Sequence, residues 1–164
     1  TRDFKDLKSN LISKSETAQV IKEISEQWKV GLPKIKNLKF HYLEDDVIII
    51  SGIGLKAIKS GDSYLPFLTD TEILKKFPNV MVDMGAVEFM CKGANAMRPG
   101  ITNYTQFEKD DVVCIIEESQ HKFLAVGKSL VPSTDMDSMS KGEIVKNMHY
   151  ISDKYWESGK LIKD

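Results

Sequence analysis

The segment from Val82 to Ile101, VDMGAVEFMCKGANAMRPGI, constrains the fold more than any other part of the chain, because its glycines and its proline fix where the backbone changes direction. A short apolar strand ends at Val82, and Val87 and Met90 then recur at the spacing of one helix face. Gly93 suits the left-handed position that closes a helix. The segment therefore predicts a strand, a short helix over residues 86–92 and a return to extended chain.

The end of the same segment predicts a tight turn. In Arg98-Pro99-Gly100, the proline suits the first central position of a type II turn and the glycine suits the positive φ of the second. The proline also biases Arg98 toward extended backbone.

At the start of the segment, Asp83 lies between the strand and the helix, where its carboxylate can accept hydrogen bonds from exposed amide groups. We expect this aspartate to cap the helix and not to act in catalysis.

The first 79 residues have the pattern of a small α/β unit with antiparallel strands and two helices. Ser13-Lys14-Ser15-Glu16 is a capping box. In the helix that follows, one apolar stripe is predicted from residues spaced by three, three and four positions: Ala18, Ile21, Ile24 and Trp28. A second capping box, from Thr69 to Glu72, predicts a helix that Pro78 ends.

Strand patterns fill the space between these two helices. Leu38, Phe40 and Tyr42 alternate with polar residues, which predicts a strand with one buried face. Three more short strands are predicted over residues 47–50, 55–59 and 63–68.

After residue 79 the predicted elements are shorter and mostly extended. Residues 112–117 and 122–128 are apolar on both faces, with Phe123 and Ala125 on one side of the second strand and Leu124 and Val126 on the other. A helical turn is predicted within residues 133–141, and residues 143–150 form the last strand. Strands that are apolar on both faces favour a closed or two-layered barrel.

These features resemble the PUA domain, the RNA-binding module named after pseudouridine synthases and archaeosine transglycosylases. Residues 102–129 look like its middle strands, and the stretch from Lys141 to Tyr150, followed by Tyr155-Trp156, looks like its closing strand and tail. That tail, with Leu65-Pro66 and Phe77-Pro78 leading into the barrel, is similar to the malignant T-cell amplified sequence family and its archaeal relatives. The resemblance implies an α+β fold, with a pre-PUA α/β domain over residues 1–79 and a PUA-type β-barrel of mixed strands and short helices over residues 80–164.

Charge does not by itself predict tight binding to nucleic acid. The chain of 164 residues has 23 basic and 24 acidic side chains. Residues 1–79 hold 13 Lys or Arg against 11 Asp or Glu, whereas residues 80–164 hold 10 against 13, so that the halves carry +2 and −3. Phosphate contacts supply most of the non-specific affinity for nucleic acid, and RNA binding would therefore depend on local patches.

The sequence offers no arrangement for catalysis. His41, His121 and His149 have no second ligand at a metal-binding spacing, and no nucleophile elbow or glycine-rich phosphate loop is present. We interpret Cys91 and Cys114 as reduced, packed thiols, with a disulfide between them as a minor alternative. We therefore expect a protein that is not an enzyme and that has no catalytic residues, no metal site and no cofactor.

The expected location is the cytoplasm. The longest purely apolar stretch, Val47 to Ile50, is only strand-sized, so no membrane contact is predicted. Residues 1–11 also lack the charged and then apolar pattern of a leader.

The family resemblance nominates an RNA-binding site across the short helix and the strand after it. Small residues there let a phosphate or a terminal base approach the backbone, and Lys92 and Arg98 supply positive charge. Backbone geometry alone also accounts for Gly93 and Gly100. The RNA-binding candidates are Gly85, Ala86, Lys92, Gly93, Ala94, Asn95, Arg98 and Pro99. A second basic surface, Lys34, Lys36 and Lys39, is better explained as a solvated edge strand.

The resemblance implies a non-enzymatic RNA-binding protein that works in translation. Its expected partners are the small ribosomal subunit or a translation factor, and its expected RNA is small-subunit rRNA or the acceptor end of initiator tRNA. Two alternatives stay open: an RNA-targeting accessory subunit of a tRNA or rRNA modification enzyme, and a protein adaptor with little RNA affinity.

Overall fold

The computed structural model describes residues 8–162, which form two β-sheets, one with five strands and one with six. The expectation that residues 1–11 hold no leader falls largely outside this range. The first sheet is antiparallel with strand order β1-β2-β3-β4-β5. The elements of this half are β1 (Lys8–Leu11), α1 (Lys14–Trp28), β2 (Lys39–Tyr42), β3 (Val47–Gly52), β4 (Leu55–Ser60), β5 (Ser63–Pro66) and α2 (Thr71–Leu74).

The second sheet is a nearly closed pseudo-barrel with strand order β7-β11-β10-β9-β6-β8. Strands β6 and β9 are parallel and the other neighbours are antiparallel, so the sheet is mixed. The elements are β6 (Asn79–Val82), α3 (Val87–Met90), β7 (Ala96–Met97), β8 (Ile101–Tyr104), β9 (Val112–Glu117), β10 (Phe123–Ser129), β11 (Glu143–Tyr150) and α4 (Trp156–Leu161). The α+β fold with a PUA-type barrel is thus confirmed. The division into domains at residue 79 stays a prediction.

The capping box of α1 is confirmed, but the predicted cap of α2 is wrong. Ser13 caps α1 by accepting a hydrogen bond from the Glu16 amide at 3.1 Å. In α2 the cap is Asp70 and not Thr69, because the Asp70 amide already closes a turn onto the Phe67 carbonyl and its carboxylate then accepts from the Ile73 amide. The helix ends at Leu74, earlier than predicted.

The prediction that β2 has only one buried face is also wrong. On the predicted face Leu38 is buried and Phe40 and Tyr42 are half-buried, but His41 on the opposite face is buried too. His41 lies opposite Ile49, on the face that residues near the C-terminus cover, and its Nε2 is 2.9 Å from the Ser51 hydroxyl. Because both faces of the first sheet are covered, alternation of polar and apolar residues along a strand does not predict which residues are buried.

Simple alternation fails in β10 as well, because its register shifts twice, between Phe123 and Ala125 and between Val126 and Gly127. Leu124 and Ala125, predicted to face opposite sides, both pack in the barrel core. Phe123 and Val126 pack instead against the first half of the chain.

Two described elements have no counterpart in the sequence-based prediction: β1, which is fully exposed, and α4. Helix α4 returns to the first sheet, where the Lys56 ammonium donates to the carbonyls of Gly159 at 2.7 Å and Ile162 at 2.9 Å. The Phe67 ring stacks on Trp156 with ring centroids 5.9 Å apart. The C-terminal residues therefore pack as part of the first half of the molecule.

A buried histidine joins the last strand to the first sheet. The Leu68 amide donates to His149 Nε2 at 3.2 Å, so the proton of the neutral ring lies on Nδ1, which is 2.7 Å from Asp153 Oδ2. The ring also stacks on Phe67 with centroids 4.8 Å apart. The sequence does not indicate this pairing of His149 with a carboxylate, because it is the turn after β11 that brings Asp153 back to the end of the strand.

The described residues contain no helix long and apolar enough to span a lipid bilayer.

Gly159 tests the packing of α4. A helical Gly→Ala change ordinarily stabilises a protein by about 0.5–1 kcal/mol. Here a Cβ would overlap the buried Phe67 ring, so Gly159→Ala should lower the free energy of unfolding by about 1–3 kcal/mol. Urea denaturation measures the effect, and Gly31→Ala is the matched control, since a Cβ there meets open space. A stabilised Gly159→Ala variant would mean that α4 does not pack on Phe67.

Glu117, in the β9–β10 hairpin, should make stability depend on pH. Hydrogen bonds from the Ser119 hydroxyl and from the Gln120 and Lys122 amides hold its pKa below the ordinary 4.5. Its contribution is therefore complete above the unfolded pKa and is lost as pH falls through the lower folded pKa. Thermal denaturation between about pH 6 and pH 3 should show a smaller acid-induced loss of stability in Glu117→Gln. Equal losses in the variant and the wild type would contradict this assignment.

Candidate nucleic-acid interface

The segment after β6 is shaped by two caps, both as predicted. The Asp83 carboxylate accepts from the Ala86 amide at 2.9 Å and opens a 3₁₀ turn, Met84–Ala86, that continues into α3. Gly93 has a φ of 93° and follows the helix end. The Ala94 amide then donates to the Phe89 carbonyl at 3.0 Å, which closes the helix.

The predicted type II turn at Arg98 is wrong. Residues Arg98–Gly100 form a 3₁₀ turn, Gly100 does not adopt positive φ, and Arg98 is the first residue of the turn and is not in an extended strand. The Arg98 side chain explains the difference, because its Nε donates to the Met136 carbonyl at 2.9 Å and its Nη1 to the Ile101 carbonyl at 3.2 Å. The first bond ties the turn to the segment Ser133–Ser138, and the second ties it to the start of β8.

A small apolar pocket opens between α3 and β7. Its volume is about 220 Å³. Phe89 and Met97 stand at its side with 59% and 44% of their surface exposed. Val82 and Met90 are buried and form its inner wall. The lining residues are Val82, Ala86, Phe89, Met90, Ala94, Asn95, Met97 and Gly100.

Strand β11 holds this pocket in shape through one side chain. The Asn147 amide group donates to the carbonyls of Met90 at 3.1 Å and Ala94 at 3.0 Å, and its backbone amide donates to Asn95 Oδ1 at 2.9 Å. Asn95 in turn donates to Glu143 at 3.1 Å. Strand β11 therefore holds the loop after α3 through the Met90 and Ala94 carbonyls and through the Asn95 side chain.

Only some of the sequence-based candidates lie at this pocket. Ala86, Ala94 and Asn95 line it, and Gly85 precedes Ala86. Pro99 is exposed in the 3₁₀ turn. Gly93 lies under Tyr150, whose ring would be 2.9 Å from a Cβ, so its left-handed backbone and its packing both require glycine.

The two charged candidates do not line the pocket. Lys92 is exposed and pairs with Glu88 at 2.9 Å. Arg98 is half-buried, and its guanidinium stands 5.9 Å from the centre of the Tyr104 ring. The Tyr104 hydroxyl donates to Asp137 at 2.5 Å, and this hydrogen bond raises the pKa of the tyrosine.

Three residues of the site were not among the sequence-based candidates: Phe89, Met97 and Asn147. A signal existed for Phe89, because it falls off the apolar stripe of Val87 and Met90 and must face outward. Asn147 gave no signal, since its partners lie more than 50 residues earlier in the chain.

Nothing in residues 8–162 groups three or more His, Cys, Asp or Glu side chains in a way that could hold a metal ion. His41 and His149 are buried with their own partners. Cys91 and Cys114 are both free, and burial raises the pKa of each thiol, which disfavours the reactive thiolate.

Comparison with known proteins identifies the family. The model of the PUA domain matches residues 78–151. An uncharacterized protein of Methanocaldococcus jannaschii is 32% identical over 156 residues, which cover 91% of this chain and 95% of that protein. The chain therefore belongs to the PUA-domain proteins, as its sequence resemblance implies.

Within this family, the chain is similar to two groups of eukaryotic proteins. Translation machinery-associated protein 20 of Saccharomyces cerevisiae is 28% identical over 137 residues, covering 76% of this chain and 74% of that protein. Malignant T-cell-amplified sequence 2 of Mus musculus is 33% identical over 100 residues, covering 56% of this chain and 55% of that protein. A PUA-domain crystal structure from Aeropyrum pernix has the same fold, with a TM-score of 0.81 at 22% identity over 94% of this chain and 91% of that one.

Arg98 should be required for stability. Replacing it with lysine keeps the charge but loses the fork that reaches two carbonyls, so Arg98→Lys should lower the free energy of unfolding by about 1–2 kcal/mol. Urea denaturation measures this. Lys92→Ala removes a cation from an exposed pair and should leave stability unchanged. If Arg98→Ala instead kept full stability and lost RNA affinity, the guanidinium would be a ligand contact, as the sequence alone suggested.

Proposed function

We propose that the protein is a non-enzymatic RNA-binding protein that takes an unpaired nucleotide into the pocket between α3 and β7. The observation that carries this proposal is an open apolar pocket of about 220 Å³ with an exposed aromatic ring, Phe89, at its side. Proteins commonly recognise single-stranded RNA by stacking unpaired bases on aromatic side chains. Large exposed apolar side chains beside a pocket favour the uncharged base of the nucleotide, and not its phosphate, as the group that enters.

Each RNA-binding candidate has a role in this proposal. Gly85, Ala86, Gly93 and Ala94 keep the approach to the backbone free of bulky side chains. Asn95 forms part of the wall and holds it to β11, and Lys92 supplies a cation at the helix end, where a phosphate can replace Glu88 as its partner. Pro99 stiffens the rim, and Arg98 contributes by holding the 3₁₀ turn through Met136 and Ile101.

The cellular role follows from the relatives. A protein named for association with the translation machinery matches 76% of this chain, which supports a role in translation. We extend this to the small ribosomal subunit or a translation factor as partner, with small-subunit rRNA or the acceptor end of initiator tRNA as the RNA and the cytoplasm as location.

One specific observation favours a second function. Residues 80–164 hold 10 basic against 13 acidic side chains, so the half that bears the pocket is net negative. A protein adaptor that recognises an apolar side chain through the same pocket would suit that charge better than an RNA-binding protein.

Pocket variants distinguish the two functions. Base stacking on an aromatic ring is worth roughly 1–3 kcal/mol, so Phe89→Ala should weaken binding of an RNA hairpin with a single-stranded 3′ end by about 5-fold or more. Ala94→Leu should block the pocket with little effect on folding, because Ala94 is exposed. Fluorescence anisotropy measures the affinity.

The matched control is Ile53→Ala. It removes an exposed apolar side chain, 85% accessible, from the turn between β3 and β4 of the first sheet and should leave RNA affinity unchanged. Wild-type protein that fails to bind the hairpin, or Phe89→Ala and Ala94→Leu variants that bind it as tightly as wild type, would reject the pocket as an RNA site.

A further inference from the structure

Two lysines face each other on the outside of the barrel. Lys128 in β10 and Lys146 in β11 are cross-strand partners, in a regular stretch of register that continues to Ser129 and Val145. Side chains of directly opposite residues share one face, with Cβ atoms about 4.5–5.5 Å apart. Lys146 is exposed and Lys128 is half-buried, and the β9 residue opposite Lys128, Val112, packs outside the barrel core, so both lysines lie on the outer face of the sheet.

Neither of these lysines has an acidic partner. Within residues 8–162 neither forms an ion pair or a side-chain hydrogen bond, whereas four other described lysines form ion pairs: Lys29, Lys75, Lys92 and Lys154. On the other side of β10, the residue opposite Lys128 is Val112. Glu143, on the same strand as Lys146, binds Asn95 instead. Like charges directly opposite destabilise an antiparallel pair, so this arrangement costs stability in the free protein.

We propose that Lys128 and Lys146 together hold one backbone phosphate of the bound RNA. A phosphate between the two ammonium groups converts their repulsion into two attractive contacts, and a local conflict of this kind is typical of a functional site. The proposal rests on the function proposed above and adds a second contact on the outer face of β11.

The pocket and the lysine pair are connected through one strand. Asn147, which holds the carbonyls of Met90 and Ala94 at the pocket, is the neighbour of Lys146 along β11. Only the two-residue strand β7 lies beyond β11 in the sheet. A single RNA strand that leaves the pocket therefore has a short path across this edge to the lysines.

The test is the double variant Lys128→Gln/Lys146→Gln. With the same RNA hairpin, its affinity should fall by about 3- to 10-fold, and the slope of log affinity against log salt should decrease by about 0.7, the value for one phosphate contact on single-stranded RNA. The control is Lys14→Gln/Lys22→Gln, which removes equal charge from two exposed lysines of α1 that have no ion pair in the described part of the chain. This control should change neither quantity.

A second measurement separates ligand binding from a structural role. In low salt without RNA, Lys146→Gln should leave the melting temperature equal or raise it, because it removes the repulsion. A lowered melting temperature, or affinity and salt slope equal to those of the control, would overturn the proposal. Preferential capture of polyglutamate over the RNA by the wild type would overturn it too, in favour of an acidic protein. Loss of RNA binding in Phe89→Ala with no effect of the lysine variants would leave the pocket proposal intact.

Discussion

The candidate interface depends on the closure of the second sheet between its two end strands, β7 and β8. A single 3₁₀ turn, Arg98–Gly100, joins these strands, and a turn this short leaves little freedom in how they approach each other. The Arg98 guanidinium donates to the carbonyls of Ile101 in β8 and of Met136 in the segment Ser133–Ser138, and the Arg98 amide donates to the Gly142 carbonyl at 2.8 Å. Because Met97 and Gly100 lie at either end of the turn and both line the pocket, closure of the barrel forms part of the pocket wall.

The two halves of the chain share one apolar core. Val112, Cys114 and Val126 of the barrel strands pack in the same cluster as Trp28 and Leu74 of the first half. The second half of the chain also contributes to the first, since α4 returns to pack on the first sheet. Strands β9 and β10 are apolar on both faces for this reason: one face fills the barrel and the other faces the first half.

In the proposed interface, shape and charge lie in different places. Apolar and small residues line most of the pocket itself, so we expect selectivity there to come from size and stacking. The cations lie elsewhere: Arg98 is committed to backbone carbonyls, Lys92 is exposed beside Glu88, and Lys128 and Lys146 lie on the outer face of the sheet. A protein with nearly equal numbers of basic and acidic residues can present positive charge only in such local arrangements.

The sequence alone determined those features that depend on neighbours along the chain. Local patterns predicted the caps by Ser13 and Asp83, the closure of α3 at Gly93 and the family itself. The caps span only three residues, and the helix end depends on the positive φ that glycine adopts readily. Tertiary structure decided the rest. Four features depend on partners that folding brings together from distant positions: the role of Arg98, the burial of His41, the bulges of β10 and the support of the pocket by Asn147. No local pattern encodes which carbonyl, strand or tail will contact each of these residues.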